Sequence, residues 1–202
     1  MGLPTRLDEP LPPDTLHVVV DMQQLFDRHP DWGGESPRLV LPNVLKLIRH
    51  RPERTLYTRF LPPRVPEEAE GRWRRYYERW PGVCLEGGGA PYVELLPELQ
   101  ALAAQGRVID KPAYSGFSAP AFVALLEAED PSCLLFSGVE TDMCVLATLL
   151  QAVDRGYRAV LAGDAVASAR TDVHEAVLHL LDSRLGSQVD CATTEAVVAA
   201  WR

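Results

Sequence analysis

Three side chains in this sequence have the types and settings that nucleophilic chemistry needs. Cys144 lies in "FSGVETDMCVLAT" (136–148), three residues past Thr141, where an apolar run gives way to a helical pattern. Asp21 closes the apolar run "TLHVVVD", and Lys111 follows "GRVID" and precedes a proline. A free thiol has a pKa of about 8.5, so only a few per cent is thiolate near neutrality. A helix N-terminus and a nearby ammonium both favour the thiolate. A carboxylate can take the thiol proton and later return it to a leaving amine. Backbone N–H groups around residues 140–144, at the start of a helix, can hold an oxyanion. This is nucleophile–base–orienter logic with lysine in place of histidine.

Bland alternatives stand beside each residue. A lone cysteine is most often a small buried hydrophobe; Cys133 and Cys191 fit that reading, and Cys84 reads as an exposed loop bystander. An aspartate at a strand end is often a cap or loop anchor, and a lysine there a salt-bridge partner. Of the 20 basic residues, however, only Lys46 and Lys111 are lysines. Arginine serves wherever a generic charge suffices, so a surviving lysine stands out for its compact, tunable ammonium. Lys46 falls in the amphipathic "NVLKLIRH" and reads as part of a solvated face. "GGG" (87–89) reads as a flexible loop: no Lys-Ser or Lys-Thr follows it, and no G-x-G-x-x-G opens a helix. The five histidines form no i, i+4 pair, and His174 and His179 are five apart.

For Asp21, Lys111 and Cys144 to meet, the elements carrying them must share a rim. Strand and helix patterns alternate along the chain. Strands are expected at 15–22, at 54–60, in "RVIDK", at 132–138, in "YRAVLAGDA" and in "SQVDCATT". Helices are expected at 37–50, 66–80 (charged and aromatic), about 93–104 and 118–129. Three more follow: "DMCVLATLLQAVDRG", ended by Gly156, then "TDVHEAVLHLLDSRLG" and "TEAVVAAW". Ser118 suits an N-cap, with Pro120 in the first turn. Such alternation predicts an α/β fold, a parallel sheet covered on both faces as one domain over 1–202. Ligands in such sheets bind beyond the carboxyl ends of the strands. There the sequence puts Asp21, Arg59, Lys111, the stretch 138–144 and Asp164.

Composition narrows the function classes. A net charge of -8 and a pI near 5.1 argue against a nucleic-acid footprint. No apolar run approaches the ~20 residues that span a bilayer. The polar, Pro-rich start lacks an export signal, and Arg6 spoils a myristoylation match. With four cysteines and no C-x-x-C pair, reduced thiols and a cytoplasmic location are expected.

"VVVDMQQLF" (18–26), "YTRF" (57–60), "DKPAYSGFSAP" (110–120) and "SGVETDMCVLATLLQAVDRGYRAVLAGDAVAS" (137–168) together, in this order, resemble the isochorismatase-like cysteine hydrolases, which include nicotinamidases and N-carbamoylsarcosine amidohydrolases. The resemblance runs from about Leu16 to Glu195. It implies a three-layer α/β/α fold with a six-stranded parallel sheet of order 3-2-1-4-5-6. It implies catalytic Asp21, Lys111 and Cys144, and a recurrent helix position at His174. It also implies a cis peptide between Val139 and Glu140, aiming the Glu140 amide with that of Cys144 at the oxyanion. Members often form oligomers, so a homo-oligomer is expected.

Three departures bear on chemistry. Nicotinamidases carry an Asp-x-His metal motif after the second strand; "YTRFLPPRVPEE" has no histidine, so no zinc or other cofactor is expected, nor nicotinamide as substrate. Glu140 replaces a smaller or apolar residue beside the cis bond, and either reaches the substrate or pairs with an arginine such as Arg59. Gly116 and Pro120 depart from the common Ser-Ala-Phe-x-x-Thr pattern. True isochorismatases, which cleave a vinyl ether, do not use this cysteine, so its presence favours C–N cleavage. The leading expectation is a metal-independent amidohydrolase working through a thioacyl enzyme on a small amide. Phe26, Arg59, Trp73, Tyr114, Phe117 and Glu140 are its expected pocket wall, and the helix at 72–80 is a lid or an interface. The competing reading is a catalytically idle scaffold or binding protein. A dinucleotide-dependent oxidoreductase is disfavoured, because "DMQQLFD" lacks the glycines that admit a pyrophosphate.

Overall fold

The computed structural model describes residues 2–103 and 107–202. β1 (Leu16–Val20) leads to α1 (Gln24–Arg28) and α2 (Ser36–His50), then β2 (Thr55–Phe60) and α3 (Gly71–Arg79). α4 (Pro97–Ala103), β3 (Arg107–Lys111), α5 (Pro120–Glu129), β4 (Cys133–Val139) and α6 (Leu146–Asp154) follow. β5 (Arg158–Ala167), α7 (Thr171–Leu185), β6 (Val189–Ala192) and α8 (Thr194–Ala200) complete the chain. The strands form one six-stranded sheet in the order β3-β2-β1-β4-β5-β6, parallel at every pairing.

Side-chain alternation splits each central strand between two cores. In β1, Leu16, Val18 and Val20 pack with Phe122 of α5, Leu149 of α6 and Val177 of α7. Val19 faces the other layer, with Val44 and Leu47 of α2 and Val197 of α8. All residues of β1 and β4 are buried, which is why both read as unbroken apolar runs. A third, smaller cluster gathers Leu25, Phe60, Tyr77, Val83 and Cys84 beneath α3. Among the described residues no helix is long and apolar enough to cross a membrane.

The strand order reverses direction between β1 and β4. Successive crossovers leave on opposite sides there, opening a crevice at the carboxyl ends. Gly138 makes the closest approach at this point: a Cβ on it would lie 2.1 Å from the Val20 carbonyl, and its φ of +109° suits glycine alone.

Several local expectations change. Cys84 is buried rather than exposed. "GGG" is a packed turn rather than a flexible loop: a Cβ on Gly87 or Gly89 would strike the carbonyl of Pro81 or Val83. α5 begins at Pro120 with Ala119 at its N-cap; Ser118 instead closes a short turn capped by Ser115. β5 runs on to Ala167, and Asp164 within it accepts hydrogen bonds from the Thr194 N–H and hydroxyl at the start of α8. The stretch 66–80 divides into a short turn at Pro66–Glu68 and α3. α4 starts at Pro97, later than expected, and the expected end at 104 lies outside the described residues.

Candidate active site

Asp21 leaves β1 in a left-handed conformation, φ +49°, uncommon for a residue with a Cβ. Thr58 of β2 holds it there. The Asp21 N–H meets the Thr58 carbonyl at 3.2 Å, and the Thr58 hydroxyl donates to Asp21 Oδ1 at 2.7 Å. Asp21 Oδ2 lies 2.7 Å from Lys111 Nζ, and both side chains are wholly buried. A carboxylate oxygen has two lone pairs, so Oδ2 keeps accepting capacity beside this ion pair. Lys111 Nζ also donates to the Ala113 carbonyl at 3.0 Å and sits over the Phe60 ring at 5.1 Å.

Cys144 reaches the same pair from the turn Thr141–Val145 that leads into α6. Its carbonyl accepts from the Thr148 hydroxyl, which in turn accepts the Gly116 N–H, tying the cysteine turn to the loop after β3. The Val139–Glu140 peptide just before this turn is cis. The Thr141 hydroxyl is 3.0 Å from His174 Nδ1, so α7 braces the turn from behind.

The electrostatics correct one expectation. Burial pushes the Cys144 thiol well above its ordinary range; Asp21 adds to the rise, and Lys111 only partly opposes it. Burial and Asp21 thus work against the thiolate more than Lys111 favours it. Burial by itself would lower the Lys111 ammonium, but Asp21 and Cys144 outweigh it and hold the pKa above its usual value.

Cys144 forms the floor of a cavity of about 310 Å³. Phe26, Trp32, Phe60, Tyr76 and Tyr114 supply its aromatic walls; Asp31, Glu140 and Met143 lie around them. Among the described residues no three His, Cys, Asp or Glu side chains gather as a metal could require.

A family model, the isochorismatase domain, matches residues 15–195. The chain belongs to the isochorismatase family. Among curated family members, the ureidoacrylate amidohydrolase RutB of Acinetobacter baylyi is 30% identical over 155 residues, 76% of this chain and 52% of that protein. The maleamate amidohydrolase of Pseudomonas putida is 30% identical over 82 residues, 41% of this chain and 38% of that protein. The chain thus spans about half the length of the first and less of the second. A cysteine hydrolase structure from Pseudomonas syringae pv. phaseolicola superposes with a TM-score of 0.80 at 23% identity, covering 100% of this chain and 97% of that one. The nicotinamidase structure from Staphylococcus aureus gives 0.60 at 22% identity, covering 89% and 99%. At these identities the two structures establish a shared fold.

Within this family fold, not every expected wall residue reaches the cavity. Phe26, Tyr114 and Glu140 line it. Arg59 does not. It turns away to Asp110 at 2.7 Å and Glu94 at 2.8 Å. Parity explains this: Thr58 and Phe60 share one face of β2, and Arg59 takes the other. Glu140 therefore pairs not with Arg59 but with the Ser36 hydroxyl at 2.7 Å and the Ala169 N–H at 2.5 Å. Phe117 lies in the core, edge-on to Phe122 at 5.0 Å with the Arg155 guanidinium over its other side. Trp73 stands behind the wall against Tyr114 at 4.8 Å and lines a neighbouring groove. Trp32, Phe60, Tyr76, Thr58 and Asp31 were not singled out from sequence. Three of them had a readable signal: Phe60 and Thr58 share the parity of a strand face, and Tyr76 follows Trp73 at i+3.

Proposed function

We propose that the chain is a metal-independent cysteine hydrolase that cleaves the C–N bond of a small amide or carbamoyl compound through a thioacyl enzyme. The convergence of the buried Asp21–Lys111 pair on Cys144, which lines the cavity, carries this reading. With burial working against the thiolate, activation falls to Asp21, whose carboxylate lies beside the sulfur. As Cys144 Sγ bonds to the substrate carbonyl carbon, its proton passes to Asp21 Oδ2. The carbonyl electrons move onto oxygen, which the backbone N–H groups of Glu140 and Cys144 receive. The C–N bond then breaks as Asp21 returns the proton to nitrogen, releasing ammonia or an amine. Water, deprotonated by Asp21, attacks the thioester carbonyl; the acid leaves and the sulfur regains its proton. Lys111 stays charged throughout and offsets negative charge on Asp21 and on the thiolate as it forms.

Amidohydrolases among the curated relatives support the reaction class. The donor set supports metal independence, since the segment after β2 lacks histidine and no ligand cluster forms among the described residues. The test is ammonia release across a panel of primary amides and ureido compounds, with and without EDTA, alongside intact-mass detection of an acyl adduct on Cys144. EDTA should change nothing, and Cys144→Ala should lose both ammonia release and adduct. Turnover that survives in Cys144→Ala would refute the proposal.

A further inference from the structure

Above its catalytic floor the cavity carries two further charged side chains, and both are acids. Asp31 is exposed at the mouth and Glu140 lies deeper. Neither forms an ion pair among the described residues. Glu140 is held by two neutral donors, the Ser36 hydroxyl and the Ala169 N–H, which fix the carboxylate without cancelling its charge. Burial holds its carboxyl above the ordinary carboxylate value, as expected for an acid with no cation beside it.

The cations around the cavity are engaged elsewhere: Arg28 donates to the Gln24 side chain and lies over the Tyr92 ring, and Arg170 pairs with Asp172. Arg38 binds Asp27 and Glu98, Arg59 binds Asp110 and Glu94, and Lys111 is matched by Asp21. Among the described residues, none that lines the cavity offers a substrate carboxylate a positive partner. The walls point the same way. Trp32 stacks on Phe26 at 6.1 Å and tilts against Tyr76 at 5.8 Å and Phe60 at 6.0 Å, forming an aromatic corner. Aromatic faces attract cations through their quadrupoles, and more strongly when water is excluded.

Resting on the hydrolase reading above, we infer that this cavity selects amides whose far end carries a positive charge, an ammonium or guanidinium seated between the Trp32–Tyr76 corner and the carboxylates of Asp31 and Glu140, and rejects amides ending in a carboxylate. The inference separates this chain from relatives named for the carboxylates ureidoacrylate and maleamate.

Three amides of equal length test it: 4-aminobutanamide (cation), pentanamide (neutral) and glutaramate (anion). The cation should exceed the neutral amide in kcat/KM by about 10-fold or more, and the anion should fall about 10-fold or more below it. Asp31→Asn and Glu140→Gln should each narrow the ratio of cation to neutral. A glutaramate rate equal to or above that of 4-aminobutanamide would overturn the inference while leaving the hydrolase reading intact. A second measurement needs no turnover. Cys144 is modified with methanethiosulfonates bearing trimethylammonioethyl, methyl or sulfonatoethyl groups, each rate divided by that with a free small thiol. The same order, cation fastest, is expected, and a flat or reversed order overturns the inference. The expected order without hydrolysis of any amide would uphold the selectivity and count against the hydrolase reading alone.

Discussion

Cys133 and Cys144 stand at opposite ends of one stretch of chain, and both are buried. Cys133 opens β4 in the apolar layer shared with α2 and α8; burial, only partly opposed by Arg158 and Thr15, carries its thiol up to about 11. Cys144, past the other end of the strand, is raised by burial and by Asp21 and pulled back by Lys111. Burial therefore does not distinguish a nucleophile from a packed thiol. Partners do. Among the charged groups that act on Cys133, Arg158 and Asp190 are partly exposed and paired with each other, whereas Cys144 faces the wholly buried Asp21–Lys111 pair, a carboxylate that can take the proton and an ammonium that can offset the charge.

Removing each sulfur gives the largest contrast. Cys144→Ala should lower kcat/KM by about 10⁴-fold or more, while Cys133→Ser should stay within about 3-fold and show its effect in stability instead. Steady-state kinetics on both variants, with circular dichroism to confirm folding, checks this. The next contrast removes a partner. Lys111→Met leaves Asp21 charged and unpaired in a dry site and should cost about 3–5 kcal/mol of unfolding free energy. Adding Asp21→Asn should recover most of that loss, and a denaturant-melt double-mutant cycle measures it. If the two single costs simply add, the ion pair is not coupled as the geometry requires.

Titration sharpens the comparison further. Alkylation of Cys144 by iodoacetamide should rise with pH above the ordinary thiol value of about 8.5, because its pKa is raised. Asp21→Asn removes a group that raises it, so the profile should move to lower pH. Cys133 should keep its profile in that variant. Mass-spectrometric rates per cysteine separate the two.

The smallest effect lies midway along β4, where Ser137 meets His17 Nε2 at 2.7 Å. Burial pushes the His17 imidazole down to about 3 from 6.5, and its Nδ1 has no hydrogen-bond partner among the described residues. A depressed pKa means that His17 favours the fold fully above pH 6.5. That contribution is lost as pH falls toward 3, by at most about 1.4 kcal/mol per pH unit. His17→Gln should flatten this part of the acid limb in chemical denaturation series between pH 4 and 7.

The fold and the floor of the site were legible in sequence for a common reason. Strands buried on both faces write themselves as apolar runs, and a parallel sheet delivers their ends to one rim. Asp21 directly follows such a run, Lys111 ends the half-exposed edge strand β3 and Cys144 sits in the turn that follows β4, so their meeting needed the strand order and the path of that turn. The wall was legible in part. Phe26, Tyr114 and Glu140 line the cavity as expected, but Arg59 misses it by the parity of one residue and Phe117 by a turn of backbone into the core.

What the sequence alone determined, then, is the set of elements and the polar residue at each strand end, because hydrophobic periodicity and chain continuity are local properties. The tertiary structure alone decided three things: that Asp21 and Lys111 are sealed from water, that burial pushes the Cys144 thiol up against the pull of Lys111, and that Trp32 and Tyr76 close the same cavity from segments far apart in the chain. Each depends on which surfaces exclude water together, and desolvation is a property of packed neighbours rather than of any one residue.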